Sequence, residues 1–305
     1  MRANRAKLVV ISLGLTVGLL GLVVVSQQAF AVNDNQTRTE AILLSPTSKQ
    51  YKLDAGTLQR DSFKIVNDGQ TAFNFVVYAR PYSVTDESYT PDFTSTVQNA
   101  DAYKWVQFDK SSYFIEPGKS VDVGYTIRVP ATAAPGGHYG VLFAETQPSA
   151  SIEGTAIIRK KRVGAIVYAT VNGATVIDGT FVGAKVSPFQ FRAPLEVRQR
   201  VKNSGNTDFE ATSNVRVADI FGGLKFRSDK KVTILPATTR EIVNDWQDPA
   251  WLGLYRVDTS IAFNDTNKTS THYVLLVPLW VYITLGLLIG MRALYAVVWR
   301  RKHKK

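Results

Sequence analysis

The C-terminal run Tyr273–Met291 (YVLLVPLWVYITLGLLIGM) holds 19 residues without a single charge. Such a run restricts what the chain can become. At about 1.5 Å per residue it nearly crosses a hydrocarbon core of about 30 Å. Apolar character resumes after Arg292 and continues to Trp299, and Arg300–Lys305 is a basic cluster. Tyr273 and Trp280 lie toward one end and Tyr295 and Trp299 toward the other, where aromatic side chains favour the interface. Pro278 falls in the early turns, where a missing amide proton costs least. Arg292 can snorkel toward the basic cluster. The pattern predicts a transmembrane helix over 273–299 and a basic cytoplasmic tail over 300–305. A buried soluble helix, the alternative, leaves the basic tail unexplained.

The N-terminal end has the same polarity. Arg2, Arg5 and Lys7 precede an uncharged apolar run from Leu8 to Val25, and Ala29-Phe30-Ala31 follows. That order matches a secretory signal with its A-x-A site, so residues 1–31 read as a signal peptide cut after Ala31. The run is near spanning length, and an uncleaved anchor is the alternative. In either case residues 32–272 are expected outside the cell membrane, with the C-terminus cytoplasmic.

The formal net charge is +11, of which three charges belong to residues 1–31 and six to 273–305, leaving +2 for residues 32–272. Basic character therefore follows the membrane flanks. Membrane lipid is the expected partner of the C-terminal helix, and a nucleic-acid partner is not expected. The chain has no Cys, which removes disulfides, thiol chemistry and Cys-based zinc sites, so its outer modules must stand on core burial.

Between the ends the sequence alternates. Every odd position of Val121-Asp-Val-Gly-Tyr-Thr-Ile-Arg-Val129 is apolar, which gives a strand with one buried and one wet face. Ser62–Val66, Ala72–Tyr78, His138–Glu145 and Val163–Val171 read as strands too, and no long amphipathic helix interrupts them. Three landmarks then recur in the same order. Asn67-Asp-Gly-Gln-Thr-Ala-Phe73 returns as Asn203-Ser-Gly-Asn-Thr-Asp-Phe209. Each N-x-G reads as a hairpin turn, with Gly69 and Gly205 free to take positive φ. Ile115-Glu-Pro-Gly-Lys-Ser120 returns as Ile234-Leu-Pro-Ala-Thr-Thr239, a proline turn feeding a strand. Pro135-Gly-Gly-His-Tyr-Gly-Val141 is echoed by Trp251-Leu-Gly-Leu-Tyr-Arg-Val257, a corner whose Tyr can tie its hydroxyl back to the backbone. The expected fold is all-β: two tandem immunoglobulin-like β-sandwiches, 32–173 and 174–271, followed by one C-terminal transmembrane α-helix.

Chemistry is harder to find. No H-E-x-x-H, G-x-S-x-G or P-loop spacing occurs. Of the three His, His303 is in the tail, His272 is at the membrane surface, and His138 stands alone beside the G-x-Y corner. The first copy carries an insertion over 84–103 and a polar loop over 146–154. Asp86, Glu87, Asp92 and Asp101 cluster in the insertion, with Tyr89, Phe93 and Tyr103. These seven are the candidate ligand contacts, since aromatics are enriched at binding hot spots. Clustered loop acids are more often solvated, and a weak calcium site is the sharper alternative. Trp105 reads as core. Asn35, Asn264 and Asn267 begin glycosylation triplets, which are short enough to arise by chance. No cofactor is expected and no enzyme is indicated.

The order of these features resembles the WxL-interacting proteins of Gram-positive bacteria. The pieces that carry the likeness are Asn67–Gly69, the Ile115–Ser120 turn leading into Val121–Val129, the Pro135–Gly140 corner, and Val277-Pro-Leu-Trp-Val-Tyr282 at the membrane. Pilus-chaperone sandwiches share the turn logic, but the anchor argues against them. The resemblance implies a first domain that engages cell-wall partners, WxL proteins or peptidoglycan, and a second that engages other surface ligands. The expected function is non-catalytic binding or scaffolding at the cell surface, toward a cell-wall polymer or surface protein. The alternative is a membrane-anchored wall-polysaccharide hydrolase using the acids of 84–103.

Overall fold

The alternation over Val121–Val129 is realised as a strand, Ser120–Arg128, whose inward Val123, Tyr125 and Ile127 are buried, as is Val129 just beyond it. The computed structural model describes residues 41–147, 160–249 and 252–302. The expected signal segment, most of the loop after Thr146, Trp251 and the tail beyond Lys302 lie outside these residues.

Two immunoglobulin-like β-sandwiches follow one another. In the first, one sheet orders β1 (Ile42–Ser45), β3 (Leu58–Asn67), β9 (Ser120–Arg128) and β7 (Val106–Phe108). The facing sheet orders β2 (Ser48–Leu53), β11 (Arg162–Val171), β10 (Gly136–Gln147), β4 (Phe73–Pro81) and β8 (Ser112–Ile115). A small ribbon of β5 (Ser83–Val84) and β6 (Pro91–Asp92) stands apart from both sheets. In the second sandwich β12 (Gly179–Val186), β14 (Leu195–Asn203) and β17 (Thr239–Trp246) form one sheet. The other orders β13 (Phe189–Gln190), β19 (Thr266–Leu276), β18 (Gly253–Phe263), β15 (Phe209–Asp219) and β16 (Leu224–Ile234). Among these ladders β2 with β11 and β13 with β19 are parallel; the others are antiparallel.

Each sandwich has its own apolar interior. Phe63, Ile65, Phe75, Tyr125, Ile127 and Leu142 fill the first, and Leu195, Val197, Val215, Val257 and Val274 fill the second. Each such side chain fully removed from water contributes roughly 1.5–3 kcal/mol. The described residues belong to one compact unit. A further cluster joins its two sandwiches: Tyr82, Tyr89, Tyr139, Val141 and Phe143 pack with Val201, Phe209, Ile234, Leu235 and Ile261.

The two copies match down to single hydrogen bonds. Asn67 and Asn203 are both fully buried. The Asn67 amide donates to Thr71 O at 2.8 Å and Ile115 O at 3.4 Å; that of Asn203 donates to Thr207 O and Ile234 O, each at 2.9 Å. Their Oδ1 atoms accept from Gly69 N–H at 3.0 Å and Gly205 N–H at 2.9 Å. These turns are not the hairpins expected: β3 and β4 lie in opposite sheets, as do β14 and β15, so each N-x-G is an arch across the core. The buried Asn anchors the arch to the next proline turn. Nor does Gly205 need a positive φ; a Cβ there would come within 2.2 Å of Val176 O, so close backbone approach is what excludes a side chain. In the proline turns Gly118 has φ +68° and its counterpart Ala237 has φ +57°.

At the C-terminus the last strand runs further than expected. Tyr273–Leu276 belong to β19, with Val274 and Leu276 buried in the second core. The helix α1 spans Leu279–Lys302, and Pro278 precedes it instead of sitting in its early turns. The apolar content of Val274 and Leu276 serves a sandwich, which period-two burial does as readily as a membrane. Leu279–Val297 is long and apolar enough to cross a membrane and is uncovered by protein.

Candidate functional site

The insertion leaves β4 at Pro81, and the β5–β6 ribbon holds it out as a loop. Its acids shape their own turns. The Asp86 carboxylate accepts from the Thr90 N–H at 3.1 Å and the Thr90 hydroxyl at 2.8 Å, and Asp92 accepts from the Thr94 N–H at 2.8 Å and its hydroxyl at 2.7 Å. Those backbone donors hold both carboxyls below their ordinary values. Asp101 bonds His138 Nδ1 at 2.6 Å, and the other ring nitrogen meets Ala134 O at 2.8 Å. His138 is buried against Trp105, ring centroids 4.6 Å apart. Burial alone would lower the imidazole's pKa, but Asp101 and the Ala134 carbonyl outweigh it and hold it above the ordinary value.

Two insertion residues cross to the second sandwich. Tyr89, at φ +66°, is buried between the domains. Its hydroxyl accepts from the Leu235 N–H at 2.8 Å and shares a hydrogen bond with Thr238 Oγ1 at 2.6 Å. The Arg240 guanidinium lies 4.1 Å over its ring. Burial pushes the phenol's pKa up. Glu87 takes a two-point contact from Arg200, with Nε to Oε2 at 2.6 Å. The Arg200 guanidinium holds the Glu87 carboxyl below its ordinary value. The Glu87 backbone O also accepts from the Glu241 N–H at 2.7 Å, which sets the end of the loop against β17.

The remaining candidates pack on the first sandwich. Phe93 meets the Phe143 ring edge-on at 5.0 Å, with the Arg162 guanidinium 4.4 Å over Phe143. Tyr103 lies in the 3₁₀ turn Ala102–Trp105, half-buried, and its backbone N would be 2.8 Å from a Cβ at Gly140. Trp105 is buried in the first core, as expected, and this turn carries it there. The structure therefore brings Glu87 and Tyr89 together at the junction of the sandwiches and leaves Asp86 on the exposed turn beside them. Each of the four acids has a partner within the protein. Among the described residues no group of three or more His, Asp or Glu is arranged to hold a metal ion.

The G-x-Y corner completes the junction. The Tyr139 hydroxyl does not return to its own domain, as the corner pattern suggested. It donates to Asp208 Oδ1 at 2.9 Å and accepts from the Asp208 N–H at 3.0 Å. Gly137 N–H donates to Asn206 O at 2.8 Å, and a Cβ on Gly136 would come within 2.6 Å of the same oxygen. Burial raises the Asp208 carboxyl above its ordinary value and also raises the Tyr139 phenol. Sequence reading missed Asn206, Asp208, Leu235, Thr238 and Arg240. A signal for two of them was present: where the first copy has Gln70 and Ala72, the second has Asn206 and Asp208, and both of these bond the first sandwich.

No family model matches the chain, and no curated protein matches it. Solved structures do. A class 5 fimbriae chaperone, CfaA, is similar at 12% identity with a TM-score of 0.39, over 78% of this chain and 100% of that one. A chain of the CsuC–CsuE chaperone–tip adhesion subunit pre-assembly complex of Acinetobacter baumannii is similar at 10% identity and a TM-score of 0.41, over 76% and 97%. The Pseudomonas aeruginosa CupB2 chaperone is similar at 10% identity and a TM-score of 0.39, over 77% and 100%.

Proposed function

We propose that this chain is a membrane-tethered, non-catalytic binding or scaffolding protein. Its two sandwiches engage cell-wall polymers or other surface proteins outside the membrane, with WxL proteins among them by resemblance. The observation that carries this reading is the joint construction of the sandwiches and the anchor. Tyr89, Glu87 and Tyr139 bond the first sandwich to the second, and only Val277 and Pro278 separate β19 from α1. Such a chain presents two sheet-built modules from one apolar helix, and sheet edges and end loops are natural contact surfaces. Contact through the insertion falls to its exposed turn, around Asp86.

The test is retention of the full-length protein, in detergent, on purified cell walls and on the surface proteins stripped from them. Binding to either, competed by the soluble form of the same material, is the expected result. Retention on neither overturns the proposal.

A further inference from the structure

The end of the second sandwich from which α1 departs is apolar and open. In the sheet β13–β19–β18–β15–β16, Leu276 pairs with Gln190 on one side and Gly253 on the other. Asp219 pairs with Tyr255, two residues from Gly253, so the β15–β16 tip beyond Asp219 reaches the level of Leu276. That tip reads Ile220-Phe221-Gly222-Gly223 and closes on Leu224. Phe221 is 91% exposed, Ile220 60% and Leu224 59%; across the sheet Phe189 is 57% exposed and Phe191 53%. Phe191 meets Tyr282 of α1, ring centroids 5.6 Å apart.

Single exposed apolar residues are ordinary, but several gathered at one end of a sheet mark a contact surface. Its place in the fold names the occupant. The tip lies two strands from β19, about 10 Å to the side at the usual strand spacing, and level with a residue three positions before the helix begins. The zone between water and hydrocarbon is roughly 5–7 Å deep on each face of a bilayer. We infer that Ile220, Phe221 and Leu224, with Phe189 and Phe191, insert into the headgroup–acyl boundary of the bilayer that α1 crosses, giving the protein a second lipid contact. This rests on the membrane reading of α1. The β15–β16 hairpin is built for the role: Asp219 Oδ1 accepts from the Phe221 and Gly223 N–H groups, each at 2.9 Å, so the tip is closed and holds its side chains outward.

The absence of native Cys allows a direct test. Nitroxide labels are attached to Phe221→Cys, Leu287→Cys and Asp265→Cys in the full-length protein, reconstituted in vesicles of phosphatidylcholine and phosphatidylglycerol. Leu287 is in α1, and Asp265 is on the β18–β19 turn at the far end of the same sheet. Collision with oxygen and with a water-soluble nickel chelate is then read by power saturation. The expected result is nickel accessibility at Phe221 about threefold below that at Asp265, as for a side chain 5–10 Å into the boundary, with Leu287 deeper still. Leu287 in lipid with Phe221 as wet as Asp265 overturns the inference and leaves the membrane reading standing. A wet Leu287 overturns both.

Discussion

The Tyr139 hydroxyl and Asp208 hold each other twice: the oxygen donates to the carboxylate at 2.9 Å and accepts from the Asp208 N–H at 3.0 Å. One atom on the first sandwich thus satisfies two groups on the second. Tyr139→Phe keeps the ring in place and strips both bonds, leaving a half-buried N–H and carboxyl without that partner. The expected loss is about 1–3 kcal/mol, read by urea unfolding. A cycle with Asp208→Ala isolates the side-chain half of the pair, the backbone N–H being kept, and is expected to give coupling of about 0.5–3 kcal/mol.

The His138–Asp101 pair predicts a pH dependence. The folded imidazole titrates above its ordinary value of about 6.5, because Asp101 and Ala134 O outweigh burial. Its favourable contribution is therefore full below that value and fades as pH rises through the folded one. Stability to urea should fall as pH rises above about 6.5. Asp101→Asn should flatten that segment of the profile; an unchanged slope would show that another group carries it.

The two proline turns predict opposite signs for inverse exchanges. Ala237 carries a Cβ at φ +57°, whereas Gly118 meets the same demand at φ +68° without one. Left-handed backbone costs an L-residue roughly 1–2 kcal/mol, partly offset by the larger unfolded-state freedom of Gly. Ala237→Gly should raise stability, and Gly118→Ala should lower it, each by about 0.5–1 kcal/mol. Thermal unfolding of the two variants checks the signs.

Tyr89→Phe leaves the Leu235 N–H without its acceptor. The expected cost is about 1–3 kcal/mol, and hydrogen exchange at the Leu235 amide should accelerate while the Tyr125 amide, deep in the first core, stays protected. Equal acceleration at both would mean the whole fold had loosened, not the junction.

What could be read beforehand was local and periodic. Val123, Tyr125 and Ile127 declared their buried face by alternation, and the Asn67 and Asn203 turns declared a repeat. Whether those turns joined neighbours in one sheet or crossed between sheets was not legible, because a reversal of direction looks the same in both. Tyr89 and Glu87 resembled ligand contacts because their partners are distant in sequence: Leu235 lies 146 residues from Tyr89, and Arg200 lies 113 from Glu87. An aromatic and an acid in a polar loop carry the same signature whether the surface they meet is foreign or is the chain's own second half. Tyr273–Leu276 posed the same ambiguity at the other end, since a buried strand running into a helix keeps the stretch apolar throughout.

The two-residue joint between β19 and α1 has a mechanical consequence. Two residues span at most about 7 Å, so on the tethered reading proposed above, tension between α1 and a bound partner would reach Leu276 with almost no slack. The pull acts along β19, whose 11 residues are all paired with β18. Force in that direction shears the ladder, loading its rungs together instead of opening them one after another like a zip.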